Sequence, residues 1–136
     1  MKTHTTDYFD TLVEVAEDTK VDHGTIPPVK EKKTVAQMQY GLLNGNPYKY
    51  SSDDILFQVH AERNNIPEDE YSRARQQFFS KGQPCLRTSP LTKCYGFGIH
   101  SNDKGKIALY GMETEAYQQL LSDTTVKKIK AMRSGK

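Results

Sequence analysis

Between residues 95 and 110 the chain alternates apolar and polar positions with a period of two. Tyr95, Phe97 and Ile99 interleave with Gly96, Gly98 and His100; Ile107 and Leu109 interleave with Lys106, Ala108 and Tyr110. The run Ser101-Asn102-Asp103-Lys104-Gly105 between them is a cluster of turn formers. The pattern predicts a hairpin whose two strands each bury one face. A five-residue loop sets His100 opposite Lys106, Ile99 opposite Ile107 and Phe97 opposite Leu109, so the apolar residues share a face. The reverse face carries Cys94, Gly96, Gly98 and His100 beside Lys106, Ala108 and Tyr110. Two glycines on one strand face imply that something approaches the backbone closely. Three occupants satisfy that: a packed helix, Tyr110 lying across Gly96, or a ligand in a shallow groove edged by His100, Lys106 and Tyr110.

Elsewhere the periodicities are shorter. Phe9 to Ala16 is rich in β-formers, with Thr11, Val13 and Val15 on one face, and predicts a strand joining the hairpin. Thr34 followed by Gln37 resembles a capping box; Val35, Met38 and Leu42 then fall at helical spacing, with Gly45 as a stop. In 54–63, Ile55, Phe57, Val59 and Ala61 alternate as in a strand. Ser52, Asp53 and Asp54 nevertheless supply a cap and dipole-matched acids, which favours a helix. Pro67 opens another helix with a stripe of Tyr71, Ala74 and Phe78, and Met112, Ala116 and Leu120 mark one from about 113 to 122. Val126, Ile129 and Met132 at three-residue spacing suggest a final amphipathic helix in the tail, 124–136. The expected fold is α+β: a small antiparallel sheet of about three strands, the N-terminal strand plus the C-terminal hairpin, packed with four or five helices. The chain, 1–136, reads as one domain.

Composition narrows the class. Hydrophobic content is 35% and mean hydropathy −0.76, so the core is lean and the surface polar. No apolar run approaches the ~20 residues of a membrane helix, and MKTHTTDYFD lacks the apolar segment of a secretory signal. Cys85 and Cys94 show no metal-type spacing and suggest no oxidising compartment, so a cytoplasmic location is expected. Net charge is +2, but its distribution is uneven. The tail holds Lys127, Lys128, Lys130, Arg133 and Lys136 with no acid, leaving the remainder at 14 basic against 17 acidic groups. Such a tail is either a solvated element end or a contact for nucleic acid or an acidic partner.

No reaction is spelled out by the residues. Cys94 and His100 share a face, but six residues of strand separate them by about 20 Å, too far for a nucleophile–base pair. His4, His23, His60 and His100 are scattered, so no metal site is expected. Phosphate-loop, dinucleotide and serine-hydrolase signatures are lacking, and no cofactor is expected. The loop Arg87-Thr88-Ser89-Pro90-Leu91-Thr92-Lys93 offers two cations and three hydroxyls. It reads either as an anion site or as a polar connector whose hydroxyls satisfy its own backbone.

Several phrases resemble a family of small bacterial proteins catalogued as a domain of unknown function: Lys33-Thr34-Val35-Ala36, Tyr48-Lys49-Tyr50-Ser51-Ser52-Asp53-Asp54, Phe78-Phe79-Ser80-Lys81-Gly82-Gln83-Pro84-Cys85, Ser89-Pro90-Leu91-Thr92-Lys93, Tyr95-Gly96-Phe97-Gly98-Ile99-His100 and Ile107-Ala108-Leu109-Tyr110-Gly111. The resemblance spans nearly the whole chain and implies no activity. This chain departs from the family pattern at Cys94 and Phe97, where the pattern has arginine and tryptophan. That departure weighs against a catalytic Cys94 and takes one cation from the anion loop.

The leading functional expectation is a binding domain for a small anionic ligand or an acidic segment. Arg87 and Lys93 would supply charge, Lys106 the rim, and His100 and Tyr110 orientation. A small enzyme using His100 as general acid or base and an interaction module touching nucleic acid through its tail are the alternatives. Nothing in the sequence sets the oligomeric state.

Overall fold

The computed structural model describes residues 3–133. Ten elements follow in order: β1 (Thr11–Glu14), α1 (Val35–Leu43), β2 (Tyr50–Ser51), α2 (Ser52–Arg63), α3 (Tyr71–Phe78), α4 (Pro90–Lys93), β3 (Phe97–Ser101), β4 (Lys106–Gly111), α5 (Glu115–Ser122) and β5 (Lys127–Lys130). Single 3-10 turns at Glu68–Glu70 and Leu86–Thr88 precede α3 and α4. The fold is α+β, as expected, but the sheet is larger. Five strands run in the order β2-β4-β3-β1-β5, and the sheet is mixed, because β1 and β5 are parallel while the other pairs are antiparallel.

The tail expectation was wrong in kind. Residues 127–130 form a strand, with Lys127 N–H donating to the Asp10 carbonyl (2.8 Å) and Ala131 N–H to that of Glu14 (2.9 Å). The second edge of β1 needs hydrogen-bond partners, and that long-range demand overrides a weak three-residue spacing. Lys136 lies outside the described residues.

The hairpin forms with its faces as predicted but with a different register. Ile99 pairs with Leu109, His100 with Ala108 and Ser101 with Ile107. A two-residue shift keeps every side chain on its face, which is why alternation could not detect it. The tighter loop has a local cause. Asn102 Oδ1 accepts from the Lys104 and Lys106 N–H groups (2.9 and 3.0 Å), and Gly105 takes φ +77°.

Both faces of the sheet are covered. On one, Val13, Ile99 and Ile107 pack with Ala36 and Leu43 of α1, Ile55 of α2 and Leu91 of α4. On the other, Leu12 packs with Tyr117 of α5 and Val126. Strand β1 is shorter than the 9–16 read from the sequence: Asp10 turns to φ +50°, so the extended backbone starts only at Thr11. Helix α2 has a similar double burial. Ile55 joins the sheet core while Phe57 and Ala61 pack against Phe79 beside α3. Residues two apart lie on nearly opposite sides of a helix, so a helix buried on two sides imitates strand alternation. Its cap is Ser51, one residue before the expected Ser52, in a reciprocal capping box with Asp54 (3.1 and 3.0 Å).

Candidate functional site

The glycine face is closed. Tyr117 of α5, only 4% exposed, lies on Gly98, and a Cβ at Gly98 would drive into its ring. Gly96 is not on the strand at all. It adopts φ +78° just before β3, with the carbonyl of His23 where a side chain would stand. Cys94 is the exposed residue that ends α4. The close approach signalled by the glycines is thus packing by a helix and a loop, and the expected groove is filled.

The five expected site residues are not brought together. Arg87 reaches the β5 edge, its Nε donating to the Lys130 carbonyl at 2.7 Å. Lys93 ends α4, whose Thr92 carbonyl accepts from Ala16 N–H beyond the end of β1. Lys106 starts β4 next to β2, at the opposite end and the opposite edge of the sheet. The hydroxyls of the 87–93 segment are all engaged by the protein. Thr88 donates to the Cys85 carbonyl and Thr92 to those of Leu86 and Ser89, and Ser89 Oγ donates to Gln39 Oε1 of α1 (2.6 Å) while accepting from Leu91 N–H.

His100 and Tyr110 do meet, through a residue that the sequence did not single out. Tyr48 Oη lies 2.8 Å from His100 Nδ1 and 2.7 Å from Tyr110 Oη. Its ring stands edge-on to the imidazole, and its backbone holds φ +59°, a left-handed conformation uncommon for tyrosine. The Tyr48 N–H donates to the Ile107 carbonyl at 2.8 Å, which pins the loop before β2 against β4. Burial pushes the Tyr48 phenol above its ordinary value, and the Tyr110 hydroxyl adds to that. Burial lowers the His100 pKa, opposed by the charges of Asp10 and Asp123.

A second constellation was missed altogether. A cleft of about 580 Å³ opens between α2 and α3, walled by Tyr50, Phe57 and Tyr71 and crossed by Asp54 and Arg75. Arg75 Nη1 donates to Asp54 Oδ1 at 2.9 Å. The guanidinium carbon lies 6.0 Å from the ring of Phe57 and 5.6 Å from that of Phe79, within cation–π range. Burial disfavours the Asp54 anion, but the Ser51 N–H and Arg75 more than compensate. The carboxyl stays below its ordinary range, with a smaller contribution from the charge of Lys106. On the other side of Arg75 a cavity of about 350 Å³ is lined by His4, Asp53, Ser72 and Phe79. Arg75 therefore borders both spaces, with its other N–H groups making no hydrogen bond to the described residues.

The N-terminal segment buttresses this region. Buried Asp53 accepts from Thr5 Oγ1 (2.6 Å), Thr6 N–H (2.7 Å) and Thr6 Oγ1 (2.7 Å), while Asp7 Oδ1 accepts from Asp53 N–H (2.9 Å). These bonds fix the start of α2, and with it Asp54. Asp54 and Arg75 lie 21 residues apart on different helices, and no local spacing announces such a pair. Asp54 itself was legible only as a helix-start acid.

Among the described residues there is no group of three or more His, Cys, Asp or Glu arranged to hold a metal, and no helix long and apolar enough to cross a membrane. A family model matches residues 3–136, nearly the entire chain. The chain belongs to DUF6157, a family of unknown function. No curated protein and no solved structure matches it. In this DUF6157 chain, the α2–α3 cleft and the Tyr48–His100–Tyr110 chain are two places among the described residues where tertiary structure assembles polar side chains beside open or half-buried space.

Proposed function

We propose that this protein is a cytoplasmic binding domain for a small anionic ligand, held in the α2–α3 cleft with Arg75 as the anion anchor. The observation that carries this reading is the placement of Arg75. One nitrogen is tethered by Asp54, two aromatic rings flank the guanidinium, and the side chain lines a cleft of ligand size while its other N–H groups make no hydrogen bond to the described residues. A planar guanidinium fixed in this way offers a second edge to a carboxylate or phosphate. Tyr50 and Tyr71, both half-buried, offer apolar surface to the body of the ligand. Asp54 adds a negative charge to the site, so the ligand class is a monoanion, a carboxylate or a phosphate diester, with an aromatic or aliphatic body. The expected site thus moves from Arg87, Lys93, His100 and Tyr110 to Arg75, and only Lys106 of the original set acts on it, through Asp54.

Saturation-transfer NMR with pools of aromatic carboxylates and phosphorylated small molecules tests this. Hits are expected to shift the amides of 54–75 and to lose at least about tenfold in affinity in Arg75→Gln, a deficit of about 1.4 kcal/mol. Hits that bind Arg75→Gln equally well, or that shift only other regions, overturn the assignment.

A second reading rests on the Tyr48–His100–Tyr110 chain: a small enzyme using His100 as general acid or base, with Tyr48 orienting the imidazole. Under that reading a substrate found by activity screening loses turnover in His100→Gln and in Tyr48→Phe alike. Full activity in both ends it.

A further inference from the structure

Strand β5 is the outermost strand on its side of the sheet. Its inward rungs are fixed by Lys127 N–H, which donates to the Asp10 carbonyl just before β1, and by Ala131 N–H, which donates to that of Glu14 at its end. Strand alternation therefore points the N–H and C=O groups of Lys128 and Lys130 outward. One end of this edge already holds a chain. Arg87 O accepts from Met132 N–H (2.8 Å), and Arg87 Nε donates to Lys130 O. The groups of Lys128 and the N–H of Lys130 continue that edge without a backbone partner among the described residues.

Side-chain chemistry beside the edge is two-sided. Lys127 and Ile129 share a face with Thr11 and Val13, and on that face a groove of about 440 Å³ is lined by Tyr8, Phe9, Thr11 and Ile129, with Phe9 52% exposed, and edged by Lys127, Lys128 and a single acid, Asp7. Lys128 and Lys130 project from the opposite face. The Lys130 side chain is 53% exposed and only 3.4 Å-paired with Glu14; Lys128 Nζ is held by the carbonyls of Asp123 and Val126. Lysines on an edge strand repel a second copy of the same edge. The same charges attract a strand of opposite sign.

We propose that the outer edge of β5 receives an extended acidic segment of a partner protein as a sixth strand. The segment alternates acidic and apolar residues, its carboxylates facing Lys130 and its apolar side chains entering the Tyr8–Phe9–Ile129 groove. Main-chain hydrogen bonds give such strand addition its affinity, and alternate side chains give it selectivity. This surface lies at the opposite sheet edge from the cleft and does not depend on the reading given for Arg75.

The test uses the full chain and a fluorescein-labelled peptide, Glu-Val-Glu-Phe-Glu-Val, followed by anisotropy and by amide shifts. Saturable binding is expected, with shifts at 127–131 and slowed hydrogen exchange at the Lys128 and Lys130 amides. A peptide of equal charge, N-methylated at alternate residues, is expected to bind at least about tenfold more weakly. The double change Lys127→Glu and Lys130→Glu is expected to abolish binding. Equal affinity of the N-methylated peptide overturns the proposal, because charge attraction alone then suffices. Tighter binding of a single-stranded hexanucleotide with shifts at the same amides also overturns it and marks the edge as a nucleic-acid contact. The unmethylated and methylated peptides are compared on the unaltered protein, so the test survives if the double variant does not fold.

Discussion

Gly98→Ala tests whether the glycine face is packing or pocket. The backbone at Gly98 is ordinary extended strand, so alanine meets no conformational barrier there, and in an open strand it gains about 0.5–1 kcal/mol over glycine. Here the added methyl meets Tyr117 Cε1 and Cδ1, ring atoms fixed by a 4%-exposed side chain whose hydroxyl accepts from Val15 N–H (3.2 Å). The ring cannot swing aside without giving up that bond and its contact with Leu12 and Val126. Overpacking of this kind costs about 1–3 kcal/mol. The sign is expected to reverse when the ring is removed: in a Tyr117→Ala background, Gly98→Ala becomes neutral or stabilising, giving a coupling of roughly 2 kcal/mol. Urea titrations followed by circular dichroism measure all four corners of the cycle from their midpoints. An equal cost of Gly98→Ala in both backgrounds would refute the packing argument, as would a neutral effect with Tyr117 present, which would reopen the groove read from the sequence.

Three further outcomes are expected. Asp53→Ala strips the buried Thr6 N–H of its acceptor, along with the hydroxyls of Thr5 and Thr6, and leaving that buried donor unpaired costs about 1–3 kcal/mol in urea-unfolding experiments; an effect under ~0.5 kcal/mol would mean that residues 5–7 do not clasp α2. Ser51→Ala removes the cap of α2 and lowers stability by about 1 kcal/mol, with amide exchange rising first at 52–55. The His100 imidazole titrates below 6.5 in NMR because burial disfavours its charged form. A base whose pKa is depressed by folding contributes stability that is complete above 6.5 and is lost as pH falls through the folded midpoint. His100→Asn flattens that part of the stability profile, and an unchanged slope refutes the assignment.

Legibility followed the range of the interaction. The Thr34 cap of α1, the capping box that begins α2, the 3-10 turn that Pro67 opens ahead of α3 and the hairpin faces all depend on neighbours within a few residues, and each was visible or nearly so in the sequence. The register slipped by two because alternation has a period of two and the turn was decided by one asparagine side chain. Strand β5 was invisible because its reason for being extended is the unpaired edge of β1, more than a hundred residues away. At the site, His100 and Tyr110 were named without Tyr48, the residue that joins them, and Arg75 was passed over as an ordinary helix cation.

By itself, then, the sequence determined the α+β class, the cap of α1 and, to within a residue, that of α2, and which hairpin side chains face inward, since caps, turns and alternation are local physics. Tertiary structure alone decided that Tyr117 rather than a ligand covers Gly98, and that Asp54 and Arg75 share a cleft. It also set a lysine-rich strand at the outer edge of the sheet. Each of these joins groups far apart in sequence, and only the packing of α2, α3, α5 and β5 against a common sheet brings them within hydrogen-bonding or van der Waals distance.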